Sequence, residues 1–320
     1  MTEKFTVTFS PHVRGKATTN SIMLDVILAL IPALIAAIVI FGPRAALLTG
    51  VCILACIVFE YGYQKILNRP ITVMDFTAVI TGLLLAFNLP VGIPLWQAVF
   101  GCFVAIILVK QLFGGLGKNF ANPAITARVV MFLAFAQTMT TWEIPQDAFS
   151  LMWGMPDAVA SPTPLVPLAA GAYANLPSLW DMFIGVRGGS IGETSALALL
   201  LGGAYLLMRR VITWHIPVSF IGTVALLSLI AGQSVDFMLF HLMAGGLLIG
   251  AIFMATDYVT SPQTSKGRII FGIGCGLLTV IIRLFGNYPE GVSFAILFMN
   301  VLVPFINKVS MTKPLGGKES

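Results

Sequence analysis

The chain has 320 residues, 58% of them hydrophobic and only 10% charged, with a net charge of +5. That balance excludes an ordinary soluble domain and points to an all-α, polytopic membrane protein. It also argues against nucleic acid as a partner, because in such a chain the placement of basic residues matters more than their sum.

Residues 1–20 are polar and lack the apolar core and cleavage site of a signal peptide, so they read as a short N-terminal segment. Five apolar runs follow, each long enough to cross ~30 Å of hydrocarbon with tilt or breaks. They cover about 21–41, 45–63, 75–89, 95–113 and 122–140, and together make a first unit, 21–140. The third run is short and stops at Asn88-Leu89-Pro90, as a helix ending inside the protein would. Gly114-Gly115-Leu116-Gly117-Lys118-Asn119, ahead of the fifth, is permissive backbone. Breaks of this kind persist at membrane depth only where other protein or a cavity satisfies them. Cys52, Cys56, Cys102 and Cys275 all sit in apolar runs without metal-ligand spacing. They read as buried packing residues, and no metal site is expected.

Residues 141–193 form one long connection. It carries Trp142, Trp153 and Trp180 and several prolines, so it is expected to pack on the membrane surface or on another subunit. Within it, Asp157-Ala158-Val159-Ala160-Ser161-Pro162-Thr163-Pro164-Leu165 is a proline-rich turn with exposed hydroxyls. Its end, Gly188-Gly189-Ser190-Ile191-Gly192-Glu193-Thr194-Ser195, feeds straight into the next apolar run. A glycine-rich turn at a helix start offers free N–H groups and a positive dipole end. Gly189, Ser190, Gly192 and Thr194 are therefore candidates to seat a phosphate or another anion. The competing reading is a helix cap by Ser190 or Thr194, with the glycines allowing close packing.

The second unit, 194–309, holds runs at about 194–212, 215–232, 237–256, 267–285 and 291–309, and a tail, 310–320, closes the chain. Short motifs of the first unit return in the same order. Asp75-Phe76 reappears as Asp236-Phe237, Gly101-Cys102 as Gly274-Cys275, and Leu112-Phe113-Gly114-Gly115 as Leu284-Phe285-Gly286-Asn287. A duplicated membrane unit explains this, and five spans per copy make the second copy inverted. Such folds place unwound backbone near the middle of the bilayer, where an ion or cofactor can sit. With ten spans, fourteen lysines and arginines fall on the side of the termini and three (Arg44, Arg187, Arg283) on the other. Both termini are therefore expected to be cytoplasmic.

Few charges interrupt the runs. Asp25 and Asp75 suit the first turns of their helices. Glu60 is expected near Lys65 and water, and Arg128 is expected to snorkel to the cytoplasmic face. Asp257, in Thr256-Asp257-Tyr258-Val259-Thr260-Ser261-Pro262, stands among oxygen ligands for a hard cation and is the candidate for ion coupling. The alternative for Asp257 is a helix stop at the surface. His12, His215 and His241 form no metal spacing, and His215 beside Trp214 suits the interface.

Several motifs carry a family resemblance. They are Ser10-Pro11-His12 with Asn20-Ser21-Ile22-Met23-Leu24-Asp25-Val26, Lys110-Gln111-Leu112-Phe113-Gly114-Gly115-Leu116-Gly117-Lys118-Asn119 with Asn122-Pro123-Ala124, and Gly189-Ser190-Ile191-Gly192-Glu193-Thr194-Ser195. Trp214-His215-Ile216-Pro217-Val218-Ser219-Phe220, Ala255-Thr256-Asp257-Tyr258-Val259-Thr260 and Gly286-Asn287-Tyr288-Pro289-Glu290-Gly291-Val292 extend it over nearly the whole chain. Together they resemble the RnfD/NqrB family, membrane subunits of ion-translocating electron-transport complexes.

The resemblance implies FMN joined through its phosphate to a threonine, in a motif similar to Asp-x-x-Ser/Thr-x-Ala-Thr-Pro-Leu. The matching positions are Asp157, Ala160, Pro162, Thr163, Pro164 and Leu165, which makes Thr163 the attachment candidate. Ala160 and Pro162 depart from the family pattern, and Pro162 removes an N–H that a flavin transferase would meet. Some family members also hold a noncovalent riboflavin.

The implied function is electron transfer between ferredoxin and NAD in the bacterial inner membrane, coupled to Na⁺ or H⁺ movement. The implied partners are RnfA, RnfB, RnfC, RnfE and RnfG, a flavin transferase for maturation, and membrane lipid. No dinucleotide fingerprint or iron–sulfur motif stands in this chain, so it would be one subunit without a complete active site of its own. The rival from another class is a secondary transporter or channel without a redox cofactor, since broken helices in inverted repeats suit that task equally. A scaffold subunit with a decayed flavin site is a third reading.

Overall fold

The computed structural model describes residues 18–143, 160, 161, 165, 168, 176–286 and 290–311. Thr163 and His12 lie outside these residues, as do most of the 144–175 segment and the tail beyond 311.

The described chain is almost entirely helical. Helix α1 (Thr19–Phe41) begins where the Thr18 hydroxyl accepts the Ser21 N–H at 3.2 Å, and its apolar run carries Pro32 inside it. It ends at Gly42, whose φ of +73° turns the chain directly into α2 (Pro43–Ile66). Glycine tolerates that dihedral, and Pro43 suits a first helical position. Helix α3 (Thr77–Phe87) is only 11 residues long, about 16 Å, and stops at Asn88 inside the protein. Residues 88–94 lead on to α4 (Leu95–Phe103), which continues as a π-helix, Val104–Gln111. Asn122 caps α5 (Pro123–Ala134) by accepting the Ala124 and Ile125 N–H groups, and a kink at Phe135 leads into α6 (Ala136–Thr140). Trp142–Glu143 pairs antiparallel with Ala160–Ser161, and α7 (Leu179–Ile184) follows.

The second copy repeats the plan with α8 (Ala196–Met208), α9 (His215–Gly232), α10 (Val235–Met243), α11 (Leu247–Ile249), α12 (Ser265–Phe285) and α13 (Val292–Ser310). Helix α11 runs into a second π segment, Gly250–Met254, and the pair α10 and α11 bends by 64° at Ala244-Gly245-Gly246.

The helical units of each copy lie close to the runs expected from sequence. Among the described residues five helices are long and apolar enough to span a bilayer, and the bent pair makes a sixth if it is one span. The shorter ones are the stubs and broken elements.

The copies meet through like elements. Helix α1 packs on α8, and α5 on α13. A Cβ at Gly202 would come 2.1 Å from the Ala29 carbonyl oxygen, so the α1 and α8 backbones touch. Close approach of this kind drives helix pairing in lipid, where apolar burial alone gives little preference. A Cβ at Gly82 would likewise meet the Cys52 carbonyl oxygen at 2.8 Å, which seats α3 on α2. All four cysteines are buried packing residues, as expected.

Helix directions put the start of α1 and the end of α13 at one end of the bundle. The C-terminal ends of α4 and of the Gly250–Met254 segment lie at that terminal end too, beside the start of α3. By element order Lys65, Arg69, Lys118, Arg209, Arg210, Lys266, Arg268 and Lys308 fall at helix ends on that side, whereas Arg44 and Arg283 fall at the opposite helix ends and Arg187 is buried.

Candidate functional site

Two polar interiors stand out in an otherwise apolar bundle. The first sits where α3 stops. Residues 187–195, expected on the surface, instead fold into the core and are buried throughout. The reason is the stub: a helix that ends inside the membrane leaves carbonyls without partners. The Gly192 N–H donates to Phe87 O (2.9 Å) and the Ile191 N–H to Leu89 O (3.1 Å), so the loop satisfies them. A Cβ at Gly192 would fall 2.3 Å from the Phe87 side chain, which is why only glycine lets the loop approach so closely. Two N–H groups of the expected phosphate seat are therefore spent on backbone. Ser195, rather than Ser190 or Thr194, caps α8, by accepting the Ala198 N–H at 3.3 Å.

Arg128 does not snorkel. It is 3% exposed, and its guanidinium donates to Asn88 Oδ1, to Glu290 Oε2 and to Ser190 Oγ (3.3 Å). Glu193 stands 3.7 Å away as a second carboxylate. Arg187 donates to Glu193 O (2.7 Å) and Thr194 O (3.4 Å), which fixes the loop's shape. Arg283, at the end of α12, donates to His241 O (2.5 Å) and Ala244 O (2.9 Å), the carbonyls left open where α10 breaks. Three guanidiniums thus meet two carboxylates. Arg187 Nη1, Arg283 Nε, Glu193 Oε2 and Glu290 Oε1 have no hydrogen-bond partner among the described residues. Buried polar atoms of that kind mark places for water or a ligand.

The second interior lies at the terminal end. Glu60, expected near Lys65 and water, is fully buried and accepts from Lys110 Nζ at 2.7 Å. Gln111 Nε2 (3.0 Å), Thr72 Oγ1 (3.3 Å) and Gln64 Nε2 (3.4 Å) also donate to it. Lys110 Nζ donates as well to Thr77 Oγ1 at 2.7 Å. Asp75 accepts the Thr77 N–H at 2.8 Å and so caps α3, in line with its expected helix-start role. Asp25, by contrast, pairs across the copies with Tyr205 (2.9 Å) and Arg209 (3.3 Å).

Lys110 and Thr77 form part of the wall of an open cavity between the two copies. Apolar side chains make most of the wall, and its polar groups include Thr77, Thr81, Lys110, Asn119, Asn122 and Asp257. Asp257 is half-buried there, with Oδ1 accepting the Val259 N–H (3.3 Å) and Oδ2 the Thr260 hydroxyl (3.0 Å). Burial pushes its carboxyl above the ordinary carboxylate range, and those two bonds pull it back. Asn300 of α13, with its amide nitrogen toward Thr260 O (3.0 Å) and its oxygen toward the Asn122 N–H (3.1 Å), ties the two walls together.

The site residues expected from sequence therefore fall in two places. Gly189, Ser190, Gly192 and Thr194 belong to the core around Arg128, and Asp257 belongs to the cavity. Sequence reasoning missed Lys110, Glu60, Asn88, Glu290, Arg187 and Arg283. Only Asn88, at the end of an undersized apolar run, carries a local signal. Among the described residues no group of three His, Cys, Asp or Glu side chains suits a metal ion.

The cavity has the make-up of a small-molecule site: concave, mostly apolar, with a few placed polar groups. Its mostly apolar wall suits a largely apolar ligand better than a phosphate, since Asp257 faces the space with a carboxylate and Lys110 already shares one N–H with Glu60.

The fold and the site define a multi-pass membrane protein of duplicated broken-helix design with a cavity between its copies. Residues 6–316 match the family model described as NQR2, RnfD, RnfE, and the chain belongs to that family. It is 48% identical over 314 residues to the D component of the Na⁺-translocating ferredoxin:NAD⁺ oxidoreductase complex of Acetobacterium woodii, covering 97% of this chain and 95% of that one. It is 44% identical to the proton-translocating counterpart of Clostridium ljungdahlii, covering 98% and 96%. A third relative, the D component of the ion-translocating oxidoreductase complex of Stutzerimonas stutzeri, is 40% identical over 94% and 93%.

Proposed function

We propose that this chain is the D-type membrane component of an ion-translocating ferredoxin:NAD⁺ oxidoreductase complex, working with the RnfA, RnfB, RnfC, RnfE and RnfG type subunits. The observation that carries the reading is the match with a complex component of that name, 48% identical over 97% of this chain and 95% of the relative. The excess of basic residues at the terminal end orients that end toward the cytoplasm of a bacterial inner membrane. The coupling ion is Na⁺ or H⁺, the two ions named for its relatives.

In this reading the chain makes and breaks no substrate bond. Bound flavin supplies one- and two-electron chemistry, and the protein holds it and tunes it. Thr163 carries FMN as a phosphoester after modification by a flavin transferase, on the face away from the cytoplasm. The described neighbour Leu165 is anchored in a cluster with Leu168, Met182 and Ala244, which fixes the chain two residues downstream of the attachment point. The cavity would hold a second, unphosphorylated flavin: Asp257 would offer its carboxylate to an N–H donor of that group, and the apolar wall from α1, α3 and α8 would keep water from it. Asp257 in this setting serves ligand binding, with ion coupling as a linked role.

The test is a denaturing gel of membranes from cells that make the transferase. A fluorescent band at the subunit's mass, absent in Thr163→Ala, is the expected result. A dark wild-type band would remove the tethered cofactor from the account.

A further inference from the structure

A lysine ammonium has three N–H donors. In Lys110, Glu60 Oε2 and Thr77 Oγ1 each take one at 2.7 Å, and the third has no acceptor among the described residues. Lys110 is 3% exposed, yet it forms part of the cavity wall. It is therefore a charged donor with one unspent bond, embedded beside a space that takes a ligand.

The surroundings hold it there rigidly. Glu60 is gripped by Gln111, Thr72 and Gln64 as well as by Lys110, and Thr77 is the first residue of α3. Such a network is stiff, because each member is fixed by at least one other. It does not cancel the ammonium at the cavity, because the nearer charge dominates the local field. The ammonium lies in the wall, whereas the Glu60 carboxylate stands behind it and is not part of the lining. Asp257 contributes a carboxylate to the same cavity.

We propose, resting on the cavity reading above, that Lys110 sets the reduction potential of a flavin seated in this cavity, with Glu60 as the residue that positions it. An electron entering the cavity ligand adds one negative charge in a low-dielectric interior, where a nearby positive charge counts for far more than in water. Lys110 meets that charge with its third N–H. No covalent bond forms or breaks, and the proton stays on Nζ. Charge placed near a flavin ring is one of the means by which a protein tunes its electronics. A purely structural Lys110, present only to neutralise Glu60, would leave the potential unmoved once Glu60 is made neutral.

That difference defines the experiment. The complex is purified with wild-type subunit, Glu60→Gln, Glu60→Gln with Lys110→Met, and Glu60→Gln with Lys110→Arg. Neutralising Glu60 first keeps the lysine substitution from stranding a buried carboxylate. Acid precipitation then separates tethered flavin in the pellet from noncovalent flavin in the supernatant. Dithionite titration of the intact complex with redox mediators, followed by absorbance, gives the potential of the bound noncovalent flavin.

The expected result is riboflavin in every supernatant. Its reduction should be at least tenfold less favourable, ~59 mV for one electron, in the Lys110→Met double variant than in Glu60→Gln. The arginine variant should recover most of that loss. Equal potentials in the lysine and methionine variants, with riboflavin present, would overturn the role of Lys110 alone. A wild-type supernatant without flavin would overturn the cavity reading and Lys110's role with it.

Discussion

The third element of each copy breaks inside the membrane, but the two breaks are built differently. In the first copy α3 simply stops at Asn88, and the open carbonyls of Phe87 and Leu89 are met by N–H groups of a loop about a hundred residues further along. In the second copy the helix bends by 64° through Ala244-Gly245-Gly246, and the open carbonyls of His241 and Ala244 are met by the Arg283 guanidinium. One break is sealed by backbone and the other by a charge. The backbone seal needs glycine for the approach of one chain to another, whereas the side-chain seal needs it to leave room for the guanidinium, a Cβ at Gly245 coming 3.0 Å from Arg283 Nη2. The comparison teaches that an interruption in the third element of each copy can be satisfied in two unrelated ways.

Removing the group that binds the first break to the second copy is expected to do most harm. Arg128 joins the α3 stub, through Asn88, to Glu290 ahead of α13. Arg128→Leu strands two buried carboxylates, at a cost of about 3–5 kcal/mol. The assembled subunit should be lost from membranes, as read by immunoblot and by detergent melting. Normal yield would show that the carboxylates find other partners. Arg283→Met opens the bend, leaving two carbonyls without donors at about 1–3 kcal/mol each, and withdraws one cation from Glu193 and Glu290. Its melting temperature should fall clearly while the α3 stub, probed by cysteine labelling at Asn88→Cys, stays protected.

Gly192→Ala attacks the stub alone, by overpacking against Phe87. A loss of about 1–3 kcal/mol is expected, and pairing it with Phe87→Ala should recover part of it. No recovery would mean that the loop approaches α3 for another reason.

The smallest effect concerns pH. The Asp257 carboxyl is raised in the folded chain, so the folded state binds a proton more tightly than the unfolded one. Its contribution to stability is fully present below the ordinary value of 3.8 and is lost as pH rises through the raised value. Asp257→Asn should therefore flatten the fall in melting temperature on going from acid to neutral pH. An unchanged slope would place the titration elsewhere.

Much of the fold is legible in the sequence because apolar length is a direct physical requirement of a bilayer. The span positions, the α3 stub at Asn88-Leu89-Pro90 and the buried cysteines all follow from it. Charges are harder. Sequence alone counts Lys110 among the basic residues on the side of the termini and gives Glu60 to Lys65, because distance along the chain says nothing about which helix faces which. The pairing of Glu60 with Lys110 spans 50 positions and depends on α2 lying beside α4. Arg128 reads as a snorkelling residue because its depth is visible and its partners, as many as 162 positions away, are not. The inward course of 187–195 is hidden for a similar reason: its glycines suit a phosphate seat as well as close packing, and only the α3 stub decides between them.

The π-helical stretch Val104–Gln111 has a consequence of its own. There the Leu112 N–H reaches Ile107 O, five residues back, instead of four. Relative to an ordinary helix this accommodates one additional residue, and each residue turns the helix by about 100°. Lys110 and Gln111 owe their aim at Glu60 to that extra residue. Deleting a single position such as Ile106 would straighten the coil and swing both side chains toward lipid. The first half of the molecule thus keeps its innermost ammonium through a miscounted turn, a form of insertion that substitution scanning would never reveal.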